Sequence, residues 1–235
     1  MLSQILKAKL ILVLIISLSL FILGRDNLKA AYSETASNKI TAEESIKKDA
    51  INKQDPSKKP LMLLNQDGNQ IEIDSLMGKP LVMTFIYTRC PSPTKCPLIM
   101  RRMVGLQKEL IDYKDKVNFA VISLDPAYDT PRVLKEYAEI SNADLYNFTL
   151  LTGPQEDVDK VIRRFKIYME EEEPGIISHS LDTFLMDPKG VIRRVFPGAF
   201  WEVEVAAEEV IKVIEEEQKA KGQKLEAQEG VLKLD

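Results

Sequence analysis

The sequence predicts an α/β sandwich built on a mixed sheet. Short apolar runs of strand length alternate with segments of helical period, which is the pattern of α/β domains. A late hairpin signal, Asp187-Pro188-Lys189-Gly190, adds antiparallel strands to that pattern. The chain has 235 residues, of which 45% are hydrophobic and 29% charged, so it is long enough for one sizeable globular domain with appendages.

The first 24 residues have the pattern of an export signal or membrane anchor. Lys7 and Lys9 precede an apolar run from Leu10 to Gly24 that is interrupted by two serines. The run is somewhat short for a membrane span, but snorkelling lysines can extend it. Because Leu28-Lys29-Ala30 is a poor cleavage site, we expect 1–24 to stay as a single-pass anchor in the cell membrane. A removed signal peptide is the alternative. Either way, the folded part lies on the extracytoplasmic side.

A polar linker is predicted at 25–58, and a globular domain at 59–217. The linker is rich in Ser, Thr, Asn, Lys and Glu and has no sustained apolar period. The domain opens with an apolar strand at 61–64, a turn containing Gly68 and an alternating strand at 70–73.

The rest of the domain is predicted from apolar runs for strands and 3.6-residue periods for helices. In order, these elements are a buried strand at 81–87, a helix at 98–111, a buried strand at 117–124, a helix opened by Asp129-Thr130-Pro131, a short strand at 147–151, a helix at 154–165, hairpin strands at 180–186 and 191–196, and a last amphipathic helix at 201–217. Glu170–Glu173 predict the start of a solvated loop that holds His179, and 218–235 predict a frayed polar tail.

The two cysteines of the chain, Cys90 and Cys96, lie where a buried strand gives way to a helix. Unpaired N–H groups and the helix dipole favour thiolate at such a position, and we expect the charges of Arg89 and Lys95 to do the same. Five residues separate the cysteines, so they do not form a tight Cys-x-x-Cys pair. The loop is nevertheless short enough for a disulfide or a bridged metal. A static disulfide in an exported protein is the plain alternative.

The single histidine, His179, follows Pro174 and Gly175 in a segment that enters a strand. A lone histidine is more often incidental than a ligand, but mobile binding residues tend to lie in such loops. Two thiolates and one imidazole make a soft ligand set that suits Cu(I), whereas zinc usually requires a fourth ligand. The residues alone leave two interpretations, a ligand that folds back over the two sulfurs or an incidental surface or core histidine.

Three blocks of sequence resemble the Sco/SenC family. The blocks are Phe85-x-Tyr87-Thr88-x-Cys90-Pro91 with Cys96-Pro97, then Ser123-Leu124-Asp125-Pro126-x-x-Asp129-Thr130-Pro131, then His179-Ser180-x-x-x-x-Leu185-Met186-Asp187-Pro188-x-Gly190. They occur in the family's order and together span roughly 59–217. The resemblance implies a thioredoxin-like fold and a membrane-anchored domain outside the cytoplasm.

The resemblance also implies a metallochaperone that helps to assemble the dinuclear copper centre of cytochrome c oxidase subunit II. Carried over by position, the copper ligands are Cys90, Cys96 and His179, with Cu(I) as the favoured ion. The chain departs from the family pattern because five residues, rather than three, separate the cysteines. A longer loop can weaken a trigonal copper site or favour a reversible disulfide. The alternative function is therefore a thiol–disulfide oxidoreductase whose redox dithiol, Cys90 and Cys96, acts on the cysteines of that centre.

The neighbouring acidic residues have two interpretations each. Asp125 ends a strand that we expect beside the Cys90 strand, so it can orient a ligand or face a partner, but turn geometry explains it equally well. For Asp129, a helix-capping role is at least as good an explanation. Phe85 and Tyr87 are predicted core or rim residues, not cofactor contacts, and Trp201 is predicted to pack at the start of the last helix.

The expected partners are the oxidase subunit and the membrane, with a monomeric domain. The net charge of −4 and the lack of a basic aromatic module argue against nucleic-acid binding.

Overall fold

The computed structural model describes residues 60–232, with side chains described as far as residue 223. The predicted anchor at 1–24 and linker at 25–58 lie outside these residues. Within 60–232, no helix combines the length and the apolar character that crossing a membrane requires.

The core of the domain is a seven-stranded mixed sheet, with a separate two-stranded sheet beside it. The strands are β1 (Met62–Asn65), β2 (Gln70–Glu72), β3 (Leu81–Ile86), β4 (Asn118–Ser123), β5 (Phe148–Thr152), β6 (Met169–Glu173), β7 (Ile176–His179), β8 (Asp182–Met186) and β9 (Ile192–Pro197). The large sheet has the order β2-β1-β5-β4-β3-β8-β9, and β6 pairs with β7 alone. Strands β3, β4 and β5 run parallel, and the other pairs are antiparallel. The mixed α/β architecture is the predicted one.

Strands β3 and β4 bring two functional segments to one edge of the sheet. All six residues of β3 are buried, as expected for a parallel strand that is covered on both faces. The register pairs Leu81 with Asn118 and Ile86 with Ser123, so the two strands end at the same level. The chain that leaves β3 toward the cysteines therefore lies next to the chain that leaves β4 toward Asp125.

Within the described part of the chain, four α-helices complete the fold. They are α1 (Cys96–Glu109), α2 (Pro131–Ser141), α3 (Gln155–Arg164) and α4 (Val203–Leu232). Proline lies in the first turn of α1 and of α2, where its missing N–H leaves no hydrogen bond unmade. The hydroxyl oxygen of Thr130 accepts a hydrogen bond from the Val133 N–H, so Thr130 caps α2. The capping role considered for Asp129 is therefore wrong.

Aromatic rings fill the space under the central strands. Phe184 on β8 lies 6.2 Å from Phe85 on β3 and 5.4 Å from Phe165, measured between ring centroids. At the far side, Trp201 packs on Phe196 at 5.6 Å, immediately before α4, as the sequence predicted. This packing fixes β3, which carries the cysteine segment at its end.

Two segments differ from the sequence prediction. Glu170–Glu173 belong to strand β6, and His179 ends strand β7, where a single loop was predicted, because Gly175 has a φ of 80° that closes a tight turn and Ile177 is buried on the paired strand. The four carboxylates remain exposed, as predicted. Helix α4 continues through 218–232, where a frayed polar tail was predicted. That segment lacks an apolar period but is rich in Glu, Lys, Ala and Gln, which are good helix formers.

Candidate dithiol and metal site

The two cysteines lie at opposite ends of the connection between β3 and α1. A turn closed by the Cys90 N–H and the Tyr87 carbonyl, at 3.4 Å, directs the chain out of β3. Cys96 is the first residue of α1 and is fully buried, whereas Cys90 is half-buried. Both cysteines are free thiols in this structure.

The hairpin β6–β7 carries His179 to the buried thiol. His179 ends β7, and its Nε2 lies 3.4 Å from Sγ of Cys96. Its Nδ1 lies 3.0 Å from the carbonyl oxygen of Ser180 and donates a hydrogen to it. This bond leaves the Nε2 lone pair directed at the thiol, and burial lowers the pKa of the imidazole, which favours the neutral ligand form.

The thiols differ in their affinity for a proton. A hydrogen bond from Cys96 is the main reason that the pKa of Cys90 falls from 9.0 to about 5, and backbone hydrogen bonds add to the effect. The same thiol–thiol hydrogen bond, together with burial, raises the pKa of Cys96. Cys90 is therefore a thiolate at neutral pH while Cys96 keeps its proton. The sequence predicted that Arg89 and Lys95 would favour the thiolate, but hydrogen bonds are the leading cause.

Tyr87 is a site residue that the sequence analysis missed. Its hydroxyl donates a hydrogen bond to Cys90 and accepts one from the Ile177 N–H at 3.3 Å. Burial, followed by the bond to Cys90, raises the pKa of Tyr87 to about 12. The ring also meets the His179 ring edge-on, with 6.0 Å between centroids. Tyr87 is buried as predicted, but it contacts the thiol as well. The sequence feature that could have identified it is a phenol hydroxyl at the end of an apolar strand, three residues before Cys90.

Asp125 contacts the residue next to Cys90. Its carboxylate, which is 7% exposed, accepts a hydrogen bond from Arg89 Nε at 2.6 Å. The Arg89 guanidinium also lies over the ring of Tyr128, with Cζ 4.7 Å from the centroid. Asp125 thus lies close to the thiol segment and contacts it through Arg89.

Asp129 fastens the turn before Cys90 to the end of β4. Its buried carboxylate accepts hydrogen bonds from the Thr88 N–H at 3.1 Å, from the Thr88 hydroxyl and from the Ser123 hydroxyl at 2.5 Å. Burial raises the pKa of this carboxyl. Its role is therefore to hold the turn, in place of the helix cap that the sequence suggested.

The donor atoms suit a soft metal ion. Two cysteine sulfurs and the Nε2 of a neutral histidine make a set that Cu(I) prefers over harder ions. Among residues 60–232, however, no three His, Cys, Asp or Glu side chains already converge in a geometry that holds a metal ion. Cys96 lies within hydrogen-bonding distance of His179 and also hydrogen-bonds to Cys90.

Several known proteins are similar to this chain. The protein SenC of Rhodobacter capsulatus is 30% identical over 134 residues, which are 55% of this chain and 58% of that protein. The SCO1 protein homolog of Bacillus subtilis is 30% identical over 142 residues, which are 59% of this chain and 72% of that protein. The chain thus matches less than two thirds of the length of the Rhodobacter protein.

Solved structures share the fold. Arabidopsis thaliana ScoI with copper bound superimposes with a TM-score of 0.59 at 26% identity, over 67% of this chain and 98% of that one. BsSco superimposes with a TM-score of 0.58 at 26% identity, over 68% of this chain and 96% of that one. It is a Sco-family cytochrome c oxidase assembly protein in which a disulfide switch was identified. The family model SCO1/SenC matches residues 49–215. The chain belongs to the SCO1/SenC family.

Proposed function

We propose that this protein binds Cu(I) through Cys90, Cys96 and His179 and delivers it to the dinuclear copper centre of cytochrome c oxidase subunit II. The observation that carries the proposal is the 3.4 Å approach of His179 Nε2 to Cys96 Sγ, which joins residues far apart in sequence. The neutral imidazole in this position offers a third soft donor beside the two sulfurs. The copper-bound ScoI of Arabidopsis thaliana supports the assignment by its similar fold.

The three side chains have different tasks in loading the ion. Cys90 supplies a ready thiolate, because its pKa of about 5 lies well below neutral pH. Cys96 keeps its proton in the free protein, so it must release that proton when copper binds. His179 arrives with its Nε2 lone pair free, since Nδ1 is bonded to the Ser180 carbonyl. Metal binding in this proposal also draws the Cys90 loop toward the other two ligands.

The longer loop between the cysteines suits transfer. Pro91 and Pro93 are exposed and limit the conformations of the loop, which lowers the entropy lost when it closes on the ion. Cys90 is half-buried, so an incoming thiolate of the acceptor reaches it before it reaches the buried Cys96. Copper is then passed by exchange of thiolate ligands, starting from the Cys90 side.

The state of the thiols favours a second function, thiol–disulfide exchange with the cysteines of the same copper centre. The Cys90 thiolate attacks one sulfur of the partner's disulfide, forms a mixed disulfide and releases one partner thiolate. Cys96 then gives up its proton and attacks the Cys90 sulfur. The products are a Cys90–Cys96 disulfide and a second partner thiolate, so the partner is reduced by two electrons and this protein is oxidised. The half-exposed, low-pKa Cys90 and the free state of both thiols support this reaction.

We place the domain on the extracytoplasmic side of the cell membrane as a monomer. The proposed attachment is the apolar segment 1–24, with 25–58 as a polar tether and the domain from 59 to 217. A membrane-held carrier meets a membrane-bound oxidase subunit by diffusion in two dimensions, which favours transfer.

The copper proposal is tested by Cu(I) titration of the reduced, full-length protein in detergent, in competition with a chromophoric chelator. Wild type is expected to bind one ion per chain. His179→Ala is expected to bind at least about tenfold more weakly, and Ser178→Ala on the same strand serves as the matched control. If His179→Ala binds Cu(I) as tightly as wild type, the three-ligand site is wrong.

The reduction potential of the dithiol tests the second function. A potential near those of exchange-active dithiols, roughly −120 to −270 mV, supports thiol–disulfide exchange. A value below about −300 mV indicates a structural disulfide and removes the exchange proposal.

A further inference from the structure

The hairpin that carries His179 is held against the domain by the segment that precedes Cys90. Strands β6 and β7 form their own sheet and add no strand to the central one. The Ile177 N–H donates to the hydroxyl of Tyr87, and the turn of the hairpin lies against the side chain of Arg89. The residues that direct Cys90 out of β3 therefore also support the imidazole.

The contact at the hairpin turn is close. Gly175 has a φ of 80°, and a methyl group placed on its Cα would lie 3.0 Å from Cζ and Nη1 of Arg89 and 3.1 Å from Nη2. The flat guanidinium thus packs directly on the backbone of the turn. On the other side, the Gly175 N–H donates to the carboxylate of Glu171 at 2.8 Å, which closes the turn.

The guanidinium is itself fixed on the domain. Its Nε donates to the buried carboxylate of Asp125 at 2.6 Å, and its Cζ lies 4.7 Å from the centre of the Tyr128 ring. Asp125 follows β4, the central strand next to β3, so the anchor belongs to the rigid part of the fold. Arg89 therefore connects the sheet edge to the tip of a hairpin that ends in His179.

We propose that Arg89 is a positioning residue: clamped by Asp125 and Tyr128, its guanidinium supports the hairpin turn at Gly175 and so holds His179 within reach of the thiols. This inference rests on the proposed copper function and names the residue that sets the third ligand in place. The role requires a planar group that bonds at one edge and packs on its face. Arginine has that shape and lysine does not. Gly175 is required by its positive φ, and its lack of a side chain lets the guanidinium approach the backbone of the turn.

The competing explanation is that Arg89 forms an ordinary surface ion pair. Its side chain is 43% exposed, and exposed ion pairs contribute little to stability. The two explanations differ in where their effects fall. A surface pair changes the stability of the whole domain slightly, whereas a positioning residue changes the hairpin locally and leaves the central strands as they are.

The test compares Arg89→Gln, Arg89→Lys and Gly175→Ala with wild type and with Gly198→Ala, in the full-length protein. Gly198 has a φ of 73° and open space around its Cα, so it controls for the strain of a side chain at positive φ. Amide hydrogen exchange of the metal-free protein is measured at Ile177 and Ser180 in the hairpin and across β4. Cu(I) affinity is measured in parallel by chelator competition.

Arg89→Gln and Gly175→Ala are expected to accelerate exchange at Ile177 and Ser180 by about tenfold or more, with β4 unchanged, and to weaken Cu(I) binding by about tenfold. Arg89→Lys is expected to have hairpin exchange rates and a Cu(I) affinity between those of these two variants and wild type. Gly198→Ala is expected to match wild type in both measurements. Unchanged hairpin exchange in both variants, or equal acceleration at every amide, overturns the proposal. If wild type binds no Cu(I), the copper function fails, but the exchange data still decide whether Arg89 holds the hairpin.

Discussion

The thiol side and the imidazole side of the site are held in different ways. Cys90 and Cys96 flank a short loop between β3, which is fully buried at the centre of the large sheet, and α1. His179 lies on a hairpin outside that sheet and reaches the site through contacts with Cys96, Tyr87 and Arg89. The thiols thus depend on the hydrophobic core, and the imidazole depends on a few local contacts.

This difference separates the two proposed activities. Thiol–disulfide exchange needs the dithiol and its hydrogen bonds, which stay in place as long as the central sheet is folded. The copper site also needs His179, so it requires the hairpin to be held against the turn before Cys90. Changes to the hairpin are therefore expected to affect copper binding and leave the dithiol chemistry largely intact, whereas changes to the core affect both.

The largest expected effect is on the proton affinity of the thiol pair. In Cys96→Ala the hydrogen bond that lowers the pKa of Cys90 is lost, so the midpoint of Cys90 alkylation moves from about 5 toward the ordinary 9.0. The measurement is the pH dependence of the alkylation rate, followed by mass spectrometry. The control, His179→Ala, is expected to leave the midpoint near its wild-type value. A low midpoint retained in Cys96→Ala would show that other donors stabilise the thiolate.

The same pKa shifts give the domain a characteristic pH dependence. Between about pH 5 and pH 9, Cys90 is deprotonated in the folded state and protonated in the unfolded state, so its contribution to the free energy of unfolding grows with pH. Cys96 has a raised pKa, so its contribution is complete below pH 9.0 and is lost above it. Urea unfolding at a series of pH values measures this dependence. In Cys90→Ser, the free energy of unfolding should rise less between about pH 5 and pH 9 than it does in wild type. If the free energy of unfolding depends on pH equally in Cys90→Ser and in wild type, the low pKa of Cys90 is contradicted.

The second largest effect compares the core with the hairpin. Phe184→Ala removes a ring that packs on Phe85 and Phe165, and is expected to lower the free energy of unfolding by about 3–5 kcal/mol. Ile177→Ala, on the hairpin, is expected to cost less than about 2 kcal/mol, because the hairpin can open without unfolding the sheet. Urea denaturation measures both. Equal losses would mean that the hairpin and the sheet unfold as one unit.

Much of the fold follows from the sequence because the signals are local. The fully apolar β3, the proline that opens α2, and the hairpin at Asp187–Gly190 are all predicted from short stretches and are present in the structure. The sheet order was beyond such reasoning, since pairing of distant strands depends on packing. Strand β6 was missed because four glutamates give no apolar alternation. Its pairing is set by the turn at Gly175 and the burial of Ile177 on the other strand.

The site divides in the same way. The thiols could be located from the strand-to-helix transition, and the proximity of Asp125 to their segment from parallel pairing of two strands. The roles of Tyr87 and Arg89 could not be predicted, because each depends on a contact with the hairpin that lies about ninety positions further along the chain. The pKa of Cys90 likewise depends on the relative orientation of two sulfurs, which the loop sequence does not determine.

A smaller effect is expected where the thiol turn is fastened to β4. Asp129→Ala leaves the Thr88 N–H and the Ser123 hydroxyl without their acceptor in a buried place, which costs about 1–3 kcal/mol of unfolding free energy. Asp112→Ala, at an exposed position, is the control and should stay within about 0.5 kcal/mol of wild type. Urea denaturation distinguishes the two. A neutral Asp129→Ala would mean that water replaces the lost acceptor.

The smallest expected effect concerns the hairpin turn by itself. The carboxylate of Glu171 accepts the Gly175 N–H at 2.8 Å on an exposed surface, so Glu171→Ala should change the free energy of unfolding by less than about 0.5 kcal/mol. Amide exchange at Gly175 and Ile177 should nevertheless rise a few-fold, because the turn loses one of the bonds that close it. Glu172→Ala removes the same charge at the β-bulge between Glu171 and Glu173, keeps the Glu171 hydrogen bond and should leave these amides unchanged. If both variants accelerate exchange equally, the loss of negative charge near these amides, and not the Glu171 hydrogen bond, sets their exchange rate.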